Sequence, residues 1–330
     1  MPLNPAGYKI AAELAADAAR FGAACHETAG VRVVDCGVRS TGNVEAGLAM
    51  ARAAMAGLGN VQLVPAGAGG HAAWPDCPWP VVTVTSDAPV AACLAAQYAG
   101  WKVSTKGYFA MASGPIRAAI GREDLFDDIG MRERPAVAVG LLEASKLPPE
   151  EVCRQLAADA GVPADAVILL VARTASIAGT LQVIARSLET ALHKLHDLGF
   201  DLSRIRRGRG AAPLAPVPDG DDMVAIGRTN DAILYGGHVV LEVAGPDESL
   251  LEIGPRMVSR ASADYGAAFL QLFERAGRDF YALDPALFAP AVVDLVAIDS
   301  GRVHRFGGID AGIVARSFAE PAGGEGHAGA

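Results

Sequence analysis

The chain is organised around one stretch, Thr174-Ala-Ser-Ile-Ala-Gly-Thr-Leu-Gln-Val-Ile-Ala-Arg-Ser-Leu-Glu-Thr-Ala-Leu-His-Lys-Leu-His-Asp-Leu-Gly199. Its pattern predicts one amphipathic helix, because apolar residues recur at steps of three and four and form a stripe. Thr174 or Ser176 can cap its start, and Gly199 fits just past its end. Lys194 and His196 lie in the last turn, where cations suit the helix dipole. The stripe consists of Ile177, Leu181, Ile184, Leu188, Leu192, Leu195 and Leu198.

The opposite side of this predicted helix carries a polar row. Gln182, Arg186, Glu189 and His193 follow at steps of four, three and four, which places them on one face. Spacing alone favours an exposed helix face with an ordinary surface ion pair. A catalytic role for Arg186 and Glu189 therefore needs support from elsewhere in the sequence.

Composition limits the class of protein. The chain has 330 residues, of which 51% are hydrophobic, enough to bury the core of one large or two medium domains. The net charge of −9 argues against binding to nucleic acid or to a membrane surface, since both require excess cations. Five widely spaced cysteines without a CxxC pair favour reduced thiols. With no signal-peptide pattern and no apolar run of membrane-spanning length, the sequence predicts a cytoplasmic protein.

Strand and helix patterns alternate through most of the chain, which predicts an α/β fold with mixed sheets. Residues 80–86 form a β-branched run typical of a strand, and residues 166–171 form a continuous apolar run typical of a strand buried on both faces. Hairpins are predicted about Gly236-Gly237 and about Ser300-Gly301. A further helix is predicted over residues 262–278.

Two polar segments are candidates for anion binding. Residues 102–117 show no clear period and are expected to form a loop, in which Ser113-Gly114-Pro115 can start a helix whose N–H groups attract anions. An ordinary loop is at least as good an interpretation of this segment. The arginine cluster of residues 204–209 could hold the phosphate or carboxylate of a long substrate tail, but a solvated loop is favoured.

Sequence motifs give little support to metal or nucleophile chemistry. His193 and His196 lie three residues apart, and His71, Asp76 and Cys77 share a loop. Neither set has the spacing of HExxH or of paired CxxC ligands, so surface or capping roles account for them. The nucleophile motif GxSxG and the phosphate-binding motif GxxxxGK[ST] do not occur. We therefore predict no metal site.

A set of motifs is spread along nearly the whole chain. They include Lys106-Gly-Tyr-Phe-Ala-Met-Ala-Ser-Gly-Pro115, Ala185-Arg-Ser-Leu-Glu-Thr190 and Gly227-Arg-Thr-Asn-Asp-Ala-Ile-Leu-Tyr-Gly-Gly237, with further matching stretches at residues 33–38, 45–47, 174–180, 193–200, 264–266 and 280–290. In this order they resemble methenyltetrahydromethanopterin cyclohydrolase. The chain departs from that family where Met-Gly-Ser-Gly-Pro is replaced by Met111-Ala-Ser-Gly-Pro115, and in the proline-rich loop after Arg209.

The resemblance implies hydrolysis of the cyclic methenyl (amidinium) bridge of a tetrahydromethanopterin to the N5-formyl compound. It also implies an enzyme without a cofactor, two α/β domains that lie side by side and enclose a pocket, and a homotrimer. The family's catalytic Arg-x-x-Glu pair falls on Arg186 and Glu189. We expect an N-terminal domain over residues 1–140, a C-terminal domain over residues 141–330 that carries the catalytic helix, and a frayed tail over residues 320–330.

The chemistry of such a reaction gives the pair physical roles. Water must attack a carbon between two nitrogens that share a positive charge, so the electrophile is already activated and requires no metal. A base must deprotonate the water, and the carboxylate of Glu189 suits that task. We expect burial to raise the basicity of Glu189, while Arg186 restrains that rise and orients the carboxylate.

Other matching stretches supply candidate pocket walls. The segment from Lys106 to Pro115 could offer backbone donors and aromatic faces to a pterin or a phosphate. Asn230 and Asp231 could bond the guanidine-like edge of the pterin, because a carboxylate matches that donor pattern. For each, a structural role in a turn or hairpin is an equal alternative. The candidate binding residues are Lys106, Tyr108, Phe109, Ser113, Gly114, Gln182, Asn230 and Asp231.

Two other functions compete with the cyclohydrolase. A non-catalytic pterin-binding or C1-carrier protein of the same fold is disfavoured because Arg186 and Glu189 are both present. A metal-dependent amidohydrolase is disfavoured by the ligand spacing. The abundance of Ala and Gly, with Arg preferred to Lys, favours a GC-rich bacterial genome. With the resemblance, this favours the dephospho form of the pterin, which is expected of methylotrophic bacteria, over tetrahydromethanopterin itself. In formaldehyde oxidation the reversible step would run toward the formyl compound.

Overall fold

Twelve strands form two mixed sheets in the computed structural model. The structure describes residues 2–98 and 100–319. In chain order the strands are β1 (Ala24–Thr28), β2 (Val31–Gly37), β3 (Asn60–Val64), β4 (Val81–Ser86), β5 (Trp101–Thr105), β6 (Tyr108–Ser113), β7 (Ala138–Glu143), β8 (Val167–Ala172), β9 (Ile205–Pro213), β10 (His238–Val243), β11 (Val292–Ala297) and β12 (Val303–Gly307).

Helices cover the faces of these sheets. They are α1 (Leu3–Ala16), α2 (Val44–Ala54), a π-helix (Val90–Gln97), α3 (Ile116–Ile120), α4 (Leu125–Ile129), α5 (Glu150–Ala160), α6 (Ile177–Ile184), α7 (Ser187–Asp197), α8 (Asp222–Leu234), α9 (Asp247–Ile253), α10 (Phe269–Arg275) and α11 (Ala311–Ala319). Among the described residues, no helix is both long enough and apolar enough to cross a bilayer.

Each sheet has six strands and combines parallel with antiparallel pairs. The first has the order β1-β2-β8-β7-β6-β5, and β8 runs parallel to both of its neighbours. The second has the order β12-β11-β10-β9-β4-β3, and there only β10 and β11 are parallel. The predicted α/β fold with mixed sheets is confirmed. Both sheets take strands from either side of residue 140. The placement of a domain boundary at that residue stays a prediction.

The first sheet is covered on both faces. Along β8, Val167, Leu169 and Val171 enter one apolar cluster with residues of α5, whereas Ile168 and Leu170 enter another with residues of α1 and α2. Alternate side chains of a strand point to opposite faces, so a strand that is buried on both sides must be apolar throughout. The continuous apolar run of the sequence therefore predicts this central strand correctly.

The long helix predicted over residues 174–199 is wrong in one respect, because the structure divides it into α6 and α7. Arg186, between them, has φ −86° and ψ 5°, in the bridge region between the α and β conformations. Its N–H bonds the carbonyl of Val183 at 3.0 Å, an i to i−3 bond that tightens the turn. The predicted cap is confirmed, since Ser176 Oγ accepts a hydrogen bond from the N–H of Gly179 at 3.0 Å.

The start of α7 packs closely against β9. Gly210 faces the start of α7, and a Cβ added there would lie 2.5 Å from Ser187 Oγ and 2.8 Å from the backbone nitrogen of Leu188. The missing side chain lets the helix begin almost against the sheet. The apolar stripe nevertheless holds across the division, because its five central members are buried in one core with β4, β9 and β10: Leu181, Ile184, Leu188, Leu192 and Leu195.

Residues 204–209 are not a solvated loop, since they lie largely in β9, between β4 and β10. Arg207 and Arg209 are exposed, whereas Gly208 and Gly210 face α7 and are buried. The sequence misses this strand because Ile205 is its only β-branched residue and the rest are Arg, Gly, Ala and Pro. The hairpin predicted over residues 295–306 is confirmed by the antiparallel pair of β11 and β12.

Three other predictions about elements are wrong. Residues 102–117 are not mainly a loop, because β5 and β6 form an antiparallel hairpin there. Gly236 and Gly237 end α8 rather than turn a hairpin, and a Cβ at Gly237 would lie 2.5 Å from the carbonyl of Ile233. Residues 262–268 are not helical, because the Ser262 hydroxyl and the Ala263 N–H both donate to the carboxylate of Asp284 instead. The predicted frayed tail, residues 320–330, lies outside the described residues.

Candidate active site

The predicted catalytic pair lies at the junction of α6 and α7. Arg186 stands at the position before the first residue of α7, and Glu189 lies in the first turn of that helix. A carboxylate in the first turn is stabilised by the unpaired N–H groups and the positive end of the helix dipole. Gln97 of the π-helix donates to the buried carbonyl of Ala185 at 3.2 Å, just after the end of α6. The exposed helix face favoured by spacing alone is wrong, because Arg186 and Glu189 are both buried.

Glu189 is a buried carboxylate with access to a cavity. It lines that cavity, and no side-chain hydrogen bond reaches it from the part of the chain that the structure describes. Burial raises its pKa from the ordinary value of 4.5 to about 7, while the charges of Arg186 and then Arg117 act in the opposite direction. A carboxylate with a pKa near 7 is matched to accept a proton at neutral pH.

Arg186 lines the same cavity, and two hydrogen bonds to buried side chains hold its guanidinium. Its Nη2 donates to Ser113 Oγ at 3.0 Å and to Gln182 Oε1 at 3.1 Å. Its Nε has no acceptor among the described residues, although it is buried. A buried guanidinium N–H without an acceptor is costly unless a ligand or water supplies one. Arg186 therefore offers a positioned donor to the cavity that Glu189 also lines.

The cavity has a volume of about 920 Å³ and lies between the two sheets. One wall comes from the β5–β6 hairpin and the end of β7, and the other comes from α7, α8 and residues 280–288. Phe109 lines the cavity with 55% of its surface exposed. An exposed aromatic face in a cleft of this size suits a flat ring system of a large small-molecule ligand. The structure contains the pocket that the resemblance implies, whereas its enclosure by two separate α/β domains stays a prediction.

The predicted binding residues occupy three kinds of position. Tyr108, Phe109 and Asn230 line the cavity with the catalytic pair. Ser113 and Gln182 are buried outside the cavity lining, and both accept hydrogen bonds from Arg186. Lys106, Gly114 and Asp231 are not among the lining residues: Lys106 is exposed, Gly114 has φ +96° in the turn after β6, and buried Asp231 accepts the N–H of Phe269 at 2.8 Å. Their roles in binding stay predictions.

Sequence reasoning does not select several residues of the cavity wall. Tyr98 and His193 line it and contact each other, with 3.0 Å between Tyr98 Oη and His193 Nε2. His193 belongs to the polar row of the helix, so its spacing from Glu189 is a signal that could have found it. Tyr98 carries no comparable signal, because it reaches the cavity from the end of the π-helix. The other unselected side chains include Lys102, Lys146, Phe280 and Phe288.

The remaining candidates of the sequence lie elsewhere. The arginines of β9 are not among the residues that line the cavity, and Arg207 pairs with Asp87 at 2.9 Å. Within residues 2–98 and 100–319, no three His, Cys, Asp or Glu side chains are placed to hold a metal ion together. His196 pairs with Asp128 at 2.9 Å, and His71 bonds the carbonyl of Gly236 at 2.7 Å. The candidate chemistry is therefore concentrated at Arg186 and Glu189.

Fold and site together describe an α/β protein in which a buried carboxylate lines a deep cleft. Comparison with known proteins specifies this class. A family model described as cyclohydrolase (MCH) matches residues 2–318. The chain belongs to the cyclohydrolase (MCH) family, as its motifs predict.

Three relatives illustrate the similarity, and each is named methenyltetrahydromethanopterin cyclohydrolase. The protein of Methylobacterium sp. (strain 4-46) is 43% identical over 96% of this chain and 97% of its own length. That of Methylobacillus flagellatus is 41% identical over 88% of this chain and 86% of its own. That of Methanosarcina barkeri is 38% identical over 88% of this chain and 89% of its own. The similarity thus covers both sheets and the cavity.

Proposed function

We propose that this chain hydrolyses the cyclic methenyl bridge of 5,10-methenyltetrahydromethanopterin, in its dephospho form, to the N5-formyl derivative. Membership of the cyclohydrolase family and the names of the relatives support the reaction. One observation of the site carries the proposal. The carboxylate of Glu189 faces a large cleft, has a pKa raised to about 7, and is left without a side-chain hydrogen bond by the described residues.

The first step is attack of water on the bridging carbon. The two neighbouring nitrogens share a positive charge, so the carbon is electrophilic before the enzyme acts. Glu189 accepts a proton from the water as the C–O bond forms, and its negative charge attracts the cationic bridge. The product of this step is a neutral carbinol in which the carbon still bonds both nitrogens.

Arg186 serves this step in two ways. Its positive charge opposes the effect of burial on Glu189, which keeps a useful fraction of the carboxylate ionised near neutral pH. Its unsatisfied Nε donor supports the oxygen of the attacking water and later the formyl oxygen. Ser113 and Gln182 restrain the guanidinium, so this donor is in place before the substrate binds.

The remaining features of the proposal concern binding and context. The pterin ring stacks on Phe109, and the polar side chain of Asn230 lies in the same cavity. Because the substrate brings its own positive charge, the reaction requires neither a metal nor a cofactor. The enzyme acts in the cytoplasm as a homotrimer, and in formaldehyde oxidation it works toward the formyl compound.

Loss of the methenyl absorbance tests this proposal directly. Purified protein is mixed with methenyl-dephosphotetrahydromethanopterin, with and without a chelator, beside Glu189→Gln and the exposed control Glu151→Gln. We expect fast, chelator-resistant loss that Glu189→Gln reduces by about 10²- to 10⁴-fold and Glu151→Gln leaves unchanged.

The other outcomes are distinct. Loss with methenyltetrahydrofolate alone would keep the chemistry and change the substrate. Tight pterin binding without any loss would identify a carrier protein instead of an enzyme. Full activity of folded Glu189→Gln would remove the base from the mechanism.

A further inference from the structure

One polar pair in the cavity wall is not used by the mechanism above. Tyr98 Oη lies 3.0 Å from His193 Nε2, and the two rings meet edge to face with 4.6 Å between centroids. Both side chains line the same cavity as Glu189, and His193 follows Glu189 by one helical turn. The pair therefore faces the same cavity as the proposed base.

Buried groups hold this pair in place. The guanidinium of Arg117 lies 4.2 Å from the ring centroid of Tyr98, and its Nη1 donates to the carbonyl of Tyr98 at 2.7 Å. Arg117 is itself almost completely buried. On the other side, His193 Nε2 lies 3.4 Å from Asp197 Oδ1, and the side chain of Asp197 is 42% exposed. A polar path thus runs from the cavity through His193 to solvent.

The proton balance of the reaction shows what such a path could do. Attack of water on the cationic bridge and opening of the ring release one proton in total. Of the two protons of the water, one is taken by Glu189 in the first step and the other stays on the carbinol oxygen. Ring opening then requires removal of that second proton and delivery of a proton to N10. A single carboxylate would have to perform both transfers in turn.

We propose that Tyr98 and His193 form a proton relay that takes the carbinol proton and passes it to solvent by way of Asp197. This inference rests on the proposed function. The carbinol O–H bond breaks as its proton moves to Tyr98 Oη, while Tyr98 gives its own proton to His193 Nε2. The C–N10 bond breaks, and its electron pair takes the proton held by Glu189. The formyl C=O is complete, Glu189 is ionised again, and imidazolium His193 loses its proton beside Asp197.

The electrostatics of the pair agree with these roles. Burial lowers the pKa of His193, so Nε2 of the neutral ring can accept the Tyr98 proton near pH 7. Burial and the negative charge of Glu189 raise the pKa of Tyr98, which disfavours a free phenolate. Tyr98 therefore accepts the carbinol proton at the same time as it gives its own proton to His193. Besides Tyr98, the charged and titratable groups that face His193 are Asp197, Lys194 and His196 of its own helix and Arg117 of α3.

Two substitutions test the relay without removing the base. Tyr98→Phe removes only the hydroxyl and keeps the ring over Arg117, and His193→Ala removes the acceptor. For each we expect kcat to fall about 10²-fold with little change in KM. Because both act in one path, the double variant is expected to be no slower than the slower single variant. Added imidazole is expected to restore part of the activity of His193→Ala, which a purely structural role would not allow.

The matched control is His196→Ala. His196 lies on the same helix, pairs with Asp128 and does not line the cavity, so kcat is expected to stay at the wild-type value. Wild-type kcat for Tyr98→Phe, or multiplying deficits in the double variant, would overturn the relay and leave both transfers to Glu189. If His193→Ala does not fold, Tyr98→Phe alone decides. A wild-type protein without hydrolase activity would refute the proposed function and the relay with it, whereas an active wild type with an unaffected Tyr98→Phe refutes the relay alone.

Discussion

Replacement of Glu189 by Gln should make the enzyme slower and, at alkaline pH, more stable. The carboxylate is buried and its pKa is raised from 4.5 to about 7. That difference corresponds to about 3 kcal/mol between the folded and unfolded chains. In the unfolded chain the group ionises freely above pH 4.5, whereas in the folded chain it ionises only near pH 7.

The sign of the effect follows from this difference. Between pH 4.5 and 7 the folded chain retains a proton that the unfolded chain has lost, so the free energy of unfolding falls as the pH rises. Above pH 7 the full cost of about 3 kcal/mol is present. Gln is neutral and of similar shape, so Glu189→Gln removes the cost at pH 8 and changes little at pH 4.5.

The expected gain can be measured by urea unfolding and by thermal denaturation. With about 2.1 cal/mol/K of unfolding entropy per residue, a 330-residue chain gains about 4 °C in Tm from 3 kcal/mol. At pH 8 the variant should show this gain together with a loss of kcat of about 10²- to 10⁴-fold. The exposed Glu151→Gln should show neither effect. Equal stability of the variant and the wild type at pH 8, or an equal gain at pH 4.5 and 8, would refute the explanation by buried charge.

Three further predictions concern the neighbours of the base. Arg186→Gln removes the strongest charge that lowers the pKa of Glu189, so the rise of activity with pH should move from about 7 to higher pH, as a pH–kcat profile would show. Gly210→Ala places a Cβ against Ser187 and Leu188, so urea unfolding should report a loss of about 1–3 kcal/mol and kcat should fall because α7 is displaced. Phe109→Ala should raise KM and leave Tm unchanged, because the ring is largely exposed; an unchanged KM would contradict its role in stacking.

Local patterns predict those parts of the fold whose environment repeats along the chain. The apolar run of β8 predicts burial on both faces, and the stripe from Leu181 to Leu195 predicts the face of α6 and α7 that enters the core. β9 escapes prediction because its alternation is of Arg with Gly, in which the small residue faces a helix. An alternation of Arg with Gly indicates a strand only when it is known that a helix packs against the glycine face.

The sequence by itself determines the α/β class, the apolar face of the segment that forms α6 and α7, and the spacing that sets Glu189 three residues after Arg186. It determines these because periodicity and spacing are local properties of the chain. Only the tertiary structure shows that the predicted helix divides and that the start of α7 packs closely against Gly210 of a distant strand. It also decides the basicity of Glu189 and the contact of Tyr98 with His193. Burial and the approach of charges such as Arg117 depend on segments far apart in the chain, which only the folded structure brings together.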